Sequence, residues 1–251
     1  MELEQPESSM QMVSHKKAIR NLAIFLFSVG VLLGMFLAGA ATWTDLEATF
    51  YGFGKVANDP LTTLRCPVLM TATETGIIRA TLSNNSELPV DARVRVYVSN
   101  PGPIRIVETI TPLAPGETKK LEWTVTSEDV DFGNLILVKV LALAYYKVPV
   151  REEWCGILVL NLPYLTGNQI FVSALVLGLL GMLIGIGLWV IGGRPLKGKT
   201  LIAIRAMIWL VALVLADMVV SFMGLWLIGL IFFVVAALLI LSVLTSAVLA
   251  S

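Results

Sequence analysis

NLAIFLFSVGVLLGMFLAGAATW, residues 21–43, decides the fold class. The stretch carries no charge, and at 1.5 Å rise per residue ~21 helical residues cross the ~30 Å hydrocarbon core of a bilayer. Three further apolar runs fill the last third of the chain, at residues 169–192, 201–220 and 226–250, the last two joined by a tight turn at 221–225. Together with residues 21–42 they predict four transmembrane α-helices. Residues 1–20 form a tail, 193–200 a short loop, and 43–168 a long polar segment with strand-like alternation. Bulk composition agrees: 57% of the 251 residues are hydrophobic and 14% charged, against ~45–50% and ~25% in a soluble domain.

Positive charge sets the direction of insertion. Lys16, Lys17 and Arg20 precede the first span; Arg194, Lys197 and Lys199 fill the loop between the second and third, and Arg205 can snorkel to the same side. The opposite side offers only Lys55 near the first span, with no Lys or Arg at 154–169 or in the 221–225 turn. Both termini are therefore expected in the cytoplasm and residues 43–168 outside it. A rival reading concerns Ala38-Gly39-Ala40, which resembles a signal-peptidase site behind a basic amino end. Cleavage there would leave three spans and the same outer domain.

Residues 43–60 look aromatic and irregular, with Trp43, Phe50, Tyr51 and Phe53 suited to the headgroup level. Period-two alternation follows. Ile78, Ala80 and Leu82 alternate with Arg79 and Thr81; Val94, Val96 and Val98 with Arg93, Arg95 and Tyr97; Leu121, Trp123 and Val125 with Lys120, Glu122 and Thr124. Turn residues separate the runs: Asn84-Asn85-Ser86, Asn100-Pro101-Gly102-Pro103 and Ala114-Pro115-Gly116-Glu117. Some seven short strands at this spacing predict an all-β sandwich of two sheets.

The order of these features, from Ser83-Asn84-Asn85 through the valine-rich strand and Leu113-Ala114-Pro115-Gly116-Glu117 to Asp131-Phe132-Gly133-Asn134 before a long apolar strand, resembles the immunoglobulin-like and fibronectin type III-like domains of microbial surface proteins. The resemblance covers residues 71–160 and does not extend to the spans. It implies a domain that binds, spaces or scaffolds, and a bacterial plasma membrane.

The strand at 135–145 departs from simple alternation. Ile136, Val138, Val140 and Ala142 suit a core face, yet Leu135, Leu137, Leu141 and Leu143 point the other way, interrupted only by Lys139. Two readings stand: a central strand covered on both faces, or an exposed patch that docks a partner or the membrane surface.

Cys66 and Cys155 bracket the strands and both fall outside the membrane, where disulfides persist. With two cysteines only one intramolecular pairing is possible; free thiols or an intermolecular bridge are the alternatives. A bond would join the domain's entrance to its exit and set spans one and two side by side. Gly30, Gly34, Ala38 and Ala41 share one helical face of span one, and Ala174, Gly178, Gly181 and Gly185 one face of span two. Close backbone packing drives association in lipid, so these stripes are expected to meet, or one of them to serve a separate subunit.

Candidate chemistry is sparse. Asp217 is the only acid in the last three spans and so a possible intramembrane ion or proton site, though its place at the outer end of span three suits an interfacial or turn role. Asp129-Val130-Asp131 echoes a calcium loop but continues into Leu135 and Ile136, where six to eight oxygens are needed. Asn84-Asn85-Ser86 is a glycosylation sequon as well as a turn. Glu152-Glu153 and Glu128-Asp129 are possible carboxylate pairs, more simply solvated acids. His15 lies in the basic tail; a lone histidine builds neither a histidine-based triad nor a histidine pair for zinc. No cofactor is expected, and a formal charge of zero gives no case for nucleic acid. The sequence therefore points to a non-enzymatic membrane protein, a scaffold or accessory subunit with a membrane-protein partner or a second copy. A surface module for glycan, peptide or envelope material, and a small transporter or channel component using Asp217, are the alternatives.

Overall fold

The computed structural model describes residues 6–144, 149–193 and 198–249. Helix α1 (Pro6–Phe50) is followed by strands β1 (Asp59–Pro60), β2 (Leu69–Thr71), β3 (Gly76–Ser83), β4 (Val90–Val98), β5 (Arg105–Leu113), β6 (Thr118–Val125), β7 (Leu135–Ala144) and β8 (Arg151–Leu160), then by helices α2 (Gly167–Gly192), α3 (Lys199–Phe222) and α4 (Trp226–Leu249). The chain divides into two compact units: a β unit of Ala40–Phe171 with Gly224–Leu227, and a helical unit holding the rest.

In the β unit, β1-β8-β7-β4-β5 form one sheet, with β2 also on β8, and β3-β6 form the second. The inward residues of the period-two runs make one core: Ile78, Ala80 and Leu82 from β3, Val94 and Val96 from β4, Trp123 and Val125 from β6, Ile136, Val138 and Val140 from β7. Each valine, leucine or isoleucine among them contributes roughly 1.5–3 kcal/mol when fully buried. β7 lies between β4 and β8, antiparallel to both. Two short pieces, β1 and β2, run parallel to β8 at Arg151–Glu152 and Leu158–Leu160 and leave a gap between them. Cys66 and Cys155 are disulfide-bonded, their Cα atoms 6.4 Å apart.

The junction after span one differs from its expected form. Residues 43–50 continue as helix to Phe50. Trp43 and Phe50 are exposed, whereas Tyr51 and Phe53 are half-buried and pack against Ala48, Leu135 and Leu137. The sheet supplies a partner surface that the local sequence does not advertise, and burial on it outweighs the modest helix propensity of Thr and Asp.

Three of the described helices are long and apolar enough to cross a membrane: Ala18–Phe50, Gly167–Gly192 and Thr200–Phe222. That is the pattern of a membrane-associated chain. The fourth predicted span is a helix, α4, whose described apolar stretch Trp226–Leu241 is shorter. Residues 194–197, in the predicted basic loop, lie outside the described residues.

In the helical unit α1 is contacted by the three other helices through its glycines. A Cβ placed on Gly30 would stand 2.6 Å from Met182 N and 2.7 Å from Gly178 O of α2; one on Gly181 would stand 2.8 Å from Leu26 O. Gly185 faces Phe27 and Ala23. Gly34 instead faces Val214 and Met218 of α3, and Gly39 faces Phe233 of α4. Ala38 is fully buried and Ala174 half-buried. Because the obstructing atoms beside Gly30 and Gly181 are backbone, Gly181→Leu is expected to separate α1 from α2. Its measure is loss of the protein's thermal transition in detergent, while Gly187→Leu, at a glycine with nothing within 4 Å of its Cβ position, leaves it unchanged.

Candidate functional site

The polar chemistry of the β unit gathers on the face of β4, β7 and β8 that looks away from the sandwich core. Lys139 of β7 and Glu152 of β8 form a 2.7 Å ion pair, their side chains 0% and 1% exposed. β7 and β8 pair so that Leu141 lies opposite Glu152 and Trp154 opposite Lys139; the two charges are therefore diagonal neighbours, within reach of long side chains. Lys139 Nζ lies 5.4 Å from the Trp154 ring centre and 5.9 Å from that of Tyr97, inside cation–π range. The remaining hydrogen bonds come from the strap of residues 51–56 that follows α1. Lys139 Nζ donates to the Gly54 carbonyl, and the Val56 N–H donates to both Glu152 oxygens at 3.0 and 3.1 Å. Further along the strap, Tyr51 OH donates to Asp131 and the Phe53 ring lies tilted against those of Tyr51 and Tyr97, with ring centres 4.9 and 6.3 Å away. Burial, with the Asp131 hydrogen bond, pushes the Tyr51 hydroxyl up to about 12.

Helix α1 reaches the same sheet at Gly156. In the gap between β1 and β2, the Gly156 N–H donates to Asp45 Oδ1 at 3.0 Å. A Cβ on Gly156 would lie 2.1 Å from Thr44 O and 2.3 Å from Thr44 C; only glycine lets the helix backbone come this close. The same logic holds at Gly167, whose Cβ position is 2.2 Å from Leu69 O. The Gly167 N–H donates to the Glu74 carboxylate at 2.9 and 3.1 Å, while Thr166 and Gln169 bond reciprocally at 3.0 and 3.2 Å as a capping box at the start of α2. Gly156→Val is expected to destabilise the β unit at or beyond the upper end of the ~1–3 kcal/mol range for overpacking. Hydrogen exchange should show protection lost first in residues 44–50.

Glu153, next to the pair, is half-buried. Burial pushes its carboxyl above the usual range, and the charge of Glu152 adds to the rise. A raised acid favours the neutral form in the fold, so its charge costs stability as pH rises above the unfolded value of 4.5. Glu153→Gln should thus raise the unfolding midpoint at neutral pH and leave it unchanged at pH 3.

The other predicted sites fall as follows. Leu135, Leu137 and Leu141 are buried and Leu143 half-buried. These leucines are not an open partner surface; of the two readings of this strand, the one covered on both faces is what the fold contains. Leu135 and Leu137 pack against Ala48 of α1. Asp129 is bonded bidentately by Arg105 at 2.7 and 2.8 Å and also accepts the Thr126 N–H, so it closes a turn. Asn84 is 1% exposed, and its amide nitrogen donates to the carbonyls of Leu88, Leu113 and Ala114. That amide cannot carry a glycan in the folded domain. Asp217 is fully buried in the helical unit and accepts the Ser221 hydroxyl at 3.2 Å. Among the described residues no group of three or more His, Cys, Asp and Glu is arranged to hold a metal.

The Lys139–Glu152 pair, Asp45, Gly156, Gly167 and Glu74 had no place in the sequence reading. For Gly156 there was a signal, a lone glycine inside a strand, which often marks a close backbone approach.

No protein family matches the sequence, and no curated protein matches it. Solved structures with local likeness include the CARDB domain of a Pyrococcus furiosus protein, at 14% identity over 43% of this chain and 98% of that one, with a TM-score of 0.31. A β-glucuronidase of Bacteroides uniformis is 14% identical over 38% of this chain and 12% of its own, TM-score 0.31. A cycloisomaltooligosaccharide glucanotransferase of Paenibacillus is 14% identical over 41% and 14%, TM-score 0.31. This chain thus spans a small fraction of either enzyme. Likenesses of this size carry no argument about fold or activity.

Proposed function

We propose that this chain is a non-catalytic, multi-pass membrane protein that holds an immunoglobulin-like sandwich outside the cytoplasm, as a scaffold or accessory subunit of a membrane complex. The observation that carries the reading is where the acids of the β unit are committed. Glu152 is held by Lys139 and the Val56 amide, Asp129 by Arg105, Asp45 by Gly156 and Glu74 by Gly167. Each joins one element to another, the work of a domain built to hold its position. The Cys66–Cys155 bond suits an oxidising compartment, and the flanking lysines and arginines suit cytoplasmic termini with α1, α2, α3 and α4 as four spans.

Affinity purification of the intact chain in mild detergent tests the role. A stoichiometric membrane-protein partner supports it; a chain that purifies alone replaces it with a self-contained surface receptor. Gly198→Cys tests the orientation, since labelling by an impermeant reagent on intact cells would place that loop outside and reverse the topology.

A further inference from the structure

The strap of residues 51–56 is held by contacts of an unusual kind. Every group of residues 54–56 that the sheet recognises is a main-chain atom: the Gly54 carbonyl taken by Lys139 and the Val56 N–H taken by Glu152. Their side chains contribute little. Lys55 is exposed, Val56 is 63% exposed, and Cβ positions on Gly52 and Gly54 meet nothing within 4 Å. The recognising groups, by contrast, stand on three paired strands, with Tyr97 on β4, Lys139 on β7 and Trp154 and Glu152 on β8. One cation set beside one anion, between aromatic walls, matches a peptide's C=O and N–H and makes a poor site for a free ion of either sign. A buried ion pair is also an expensive way to fasten a loop, because well-packed apolar residues usually do as well; its best-attested use is to define one of two states.

From this geometry we infer that Lys139, Glu152, Tyr97 and Trp154 form a site that binds the main chain of a polypeptide turn, and that the chain's own strap occupies it as a displaceable intramolecular ligand. The incoming occupant is a segment of a partner polypeptide with glycine at the position of Gly54, where φ is 67°. Gly52 and Gly54, at φ of 86° and 67°, are the hinges on which the strap leaves. Because the strap is tethered, its effective concentration is high, and a competitor binds measurably only once the strap is loosened. The inference stands apart from the proposed scaffold role: a chain with no membrane partner could still carry the site.

The test uses the full chain in detergent and, as probe, a synthetic peptide of residues 51–57. In the unaltered chain the Val56 amide should exchange hydrogen through an opening that leaves the β7 and β8 amides of Val140 and Ile157 protected. Phe53→Ala removes the strap's aromatic contact and should speed that opening by about tenfold. The probe should bind Phe53→Ala, with a change in Trp154 fluorescence, and binding should vanish when Lys139→Met and Glu152→Leu are added together, a pair chosen to keep the fold. Exchange of Val56 only in step with Val140 and Ile157 would make the strap part of the core and overturn the inference. So would a folded Phe53→Ala chain that takes up no peptide at millimolar probe.

Discussion

Lys139→Ala or Glu152→Ala is expected to lower the unfolding free energy of the β unit by ~3–5 kcal/mol, the cost of leaving one buried charge without its partner. Both side chains are out of water, and each also bonds to the strap. Among the described residues, removing Lys139 leaves the Glu152 carboxylate with the Val56 amide, and removing Glu152 leaves the ammonium with the Gly54 carbonyl and two ring faces. The double substitution Lys139→Met with Glu152→Leu should recover most of the loss, because the site then holds apolar groups of similar volume and no unpaired charge. Denaturant titration of the three variants measures all of this in one series. Two single losses that simply add in the double variant would mean that the charges do not act as a pair. A further sign separates the pair from ordinary packing: either single variant should free the Val56 amide to exchange, since its acceptor is gone or displaced.

The reason this pair was not legible in the sequence is geometrical. Lys139 stood out as a break in a leucine row, and Glu152-Glu153 as a doublet of acids, but nothing local to either states that β7 and β8 pair in the register that sets them diagonally. By contrast the core faces of β3, β4 and β6 could be assigned residue by residue, because period-two alternation is a local signal and the residues it names are buried, apart from Leu121, which is half-buried. The leucines of β7 are intermediate. Their alternation marks a second apolar face, but what packs on it at Leu135 and Leu137 is the end of α1, some 90 residues earlier in the chain by the spacing of Ala48 and Leu137. Helix continuation through Thr44 and Asp45 was hidden for the same reason: its stabilisation comes from Gly156 and Leu135, not from its own residues. The glycine stripes of α1 and α2 were readable because small residues at helical spacing leave few other uses in lipid, yet the turning of Gly34 toward α3 depends on how three helices share one surface.

Removal of the disulfide, by Cys66→Ala with Cys155→Ala, is expected to cost ~4–5 kcal/mol in the chain-entropy account. The two residues are 89 apart in sequence, so opening the bond releases a long loop in the unfolded chain. Alanine is the right replacement because Cys155 is buried among Val138, Ile157 and Trp123 in the core, where a serine hydroxyl would add its own penalty. The position of the bond sharpens the expectation. β1 and β2 are two short edge pieces along β8 with a gap between them, and Cys66 lies in the segment that joins them, pinned to Cys155 of β8 opposite that gap. Without it the two pieces are held by their few ladder bonds, by the core packing of Leu61, Leu64 and Met70 and by the Arg65–Arg79 bridge, so exchange should rise at Leu61 and Leu158, which carry those ladder bonds, before it rises at Val96 or Val140. Reductant supplies the control. It should shift the unaltered chain to the stability of the double alanine variant and leave that variant where it is. A shift in both would locate the effect elsewhere, and a double variant as stable as the unaltered chain would mean that packing around β8, not the covalent link, holds residues 59–71 in place.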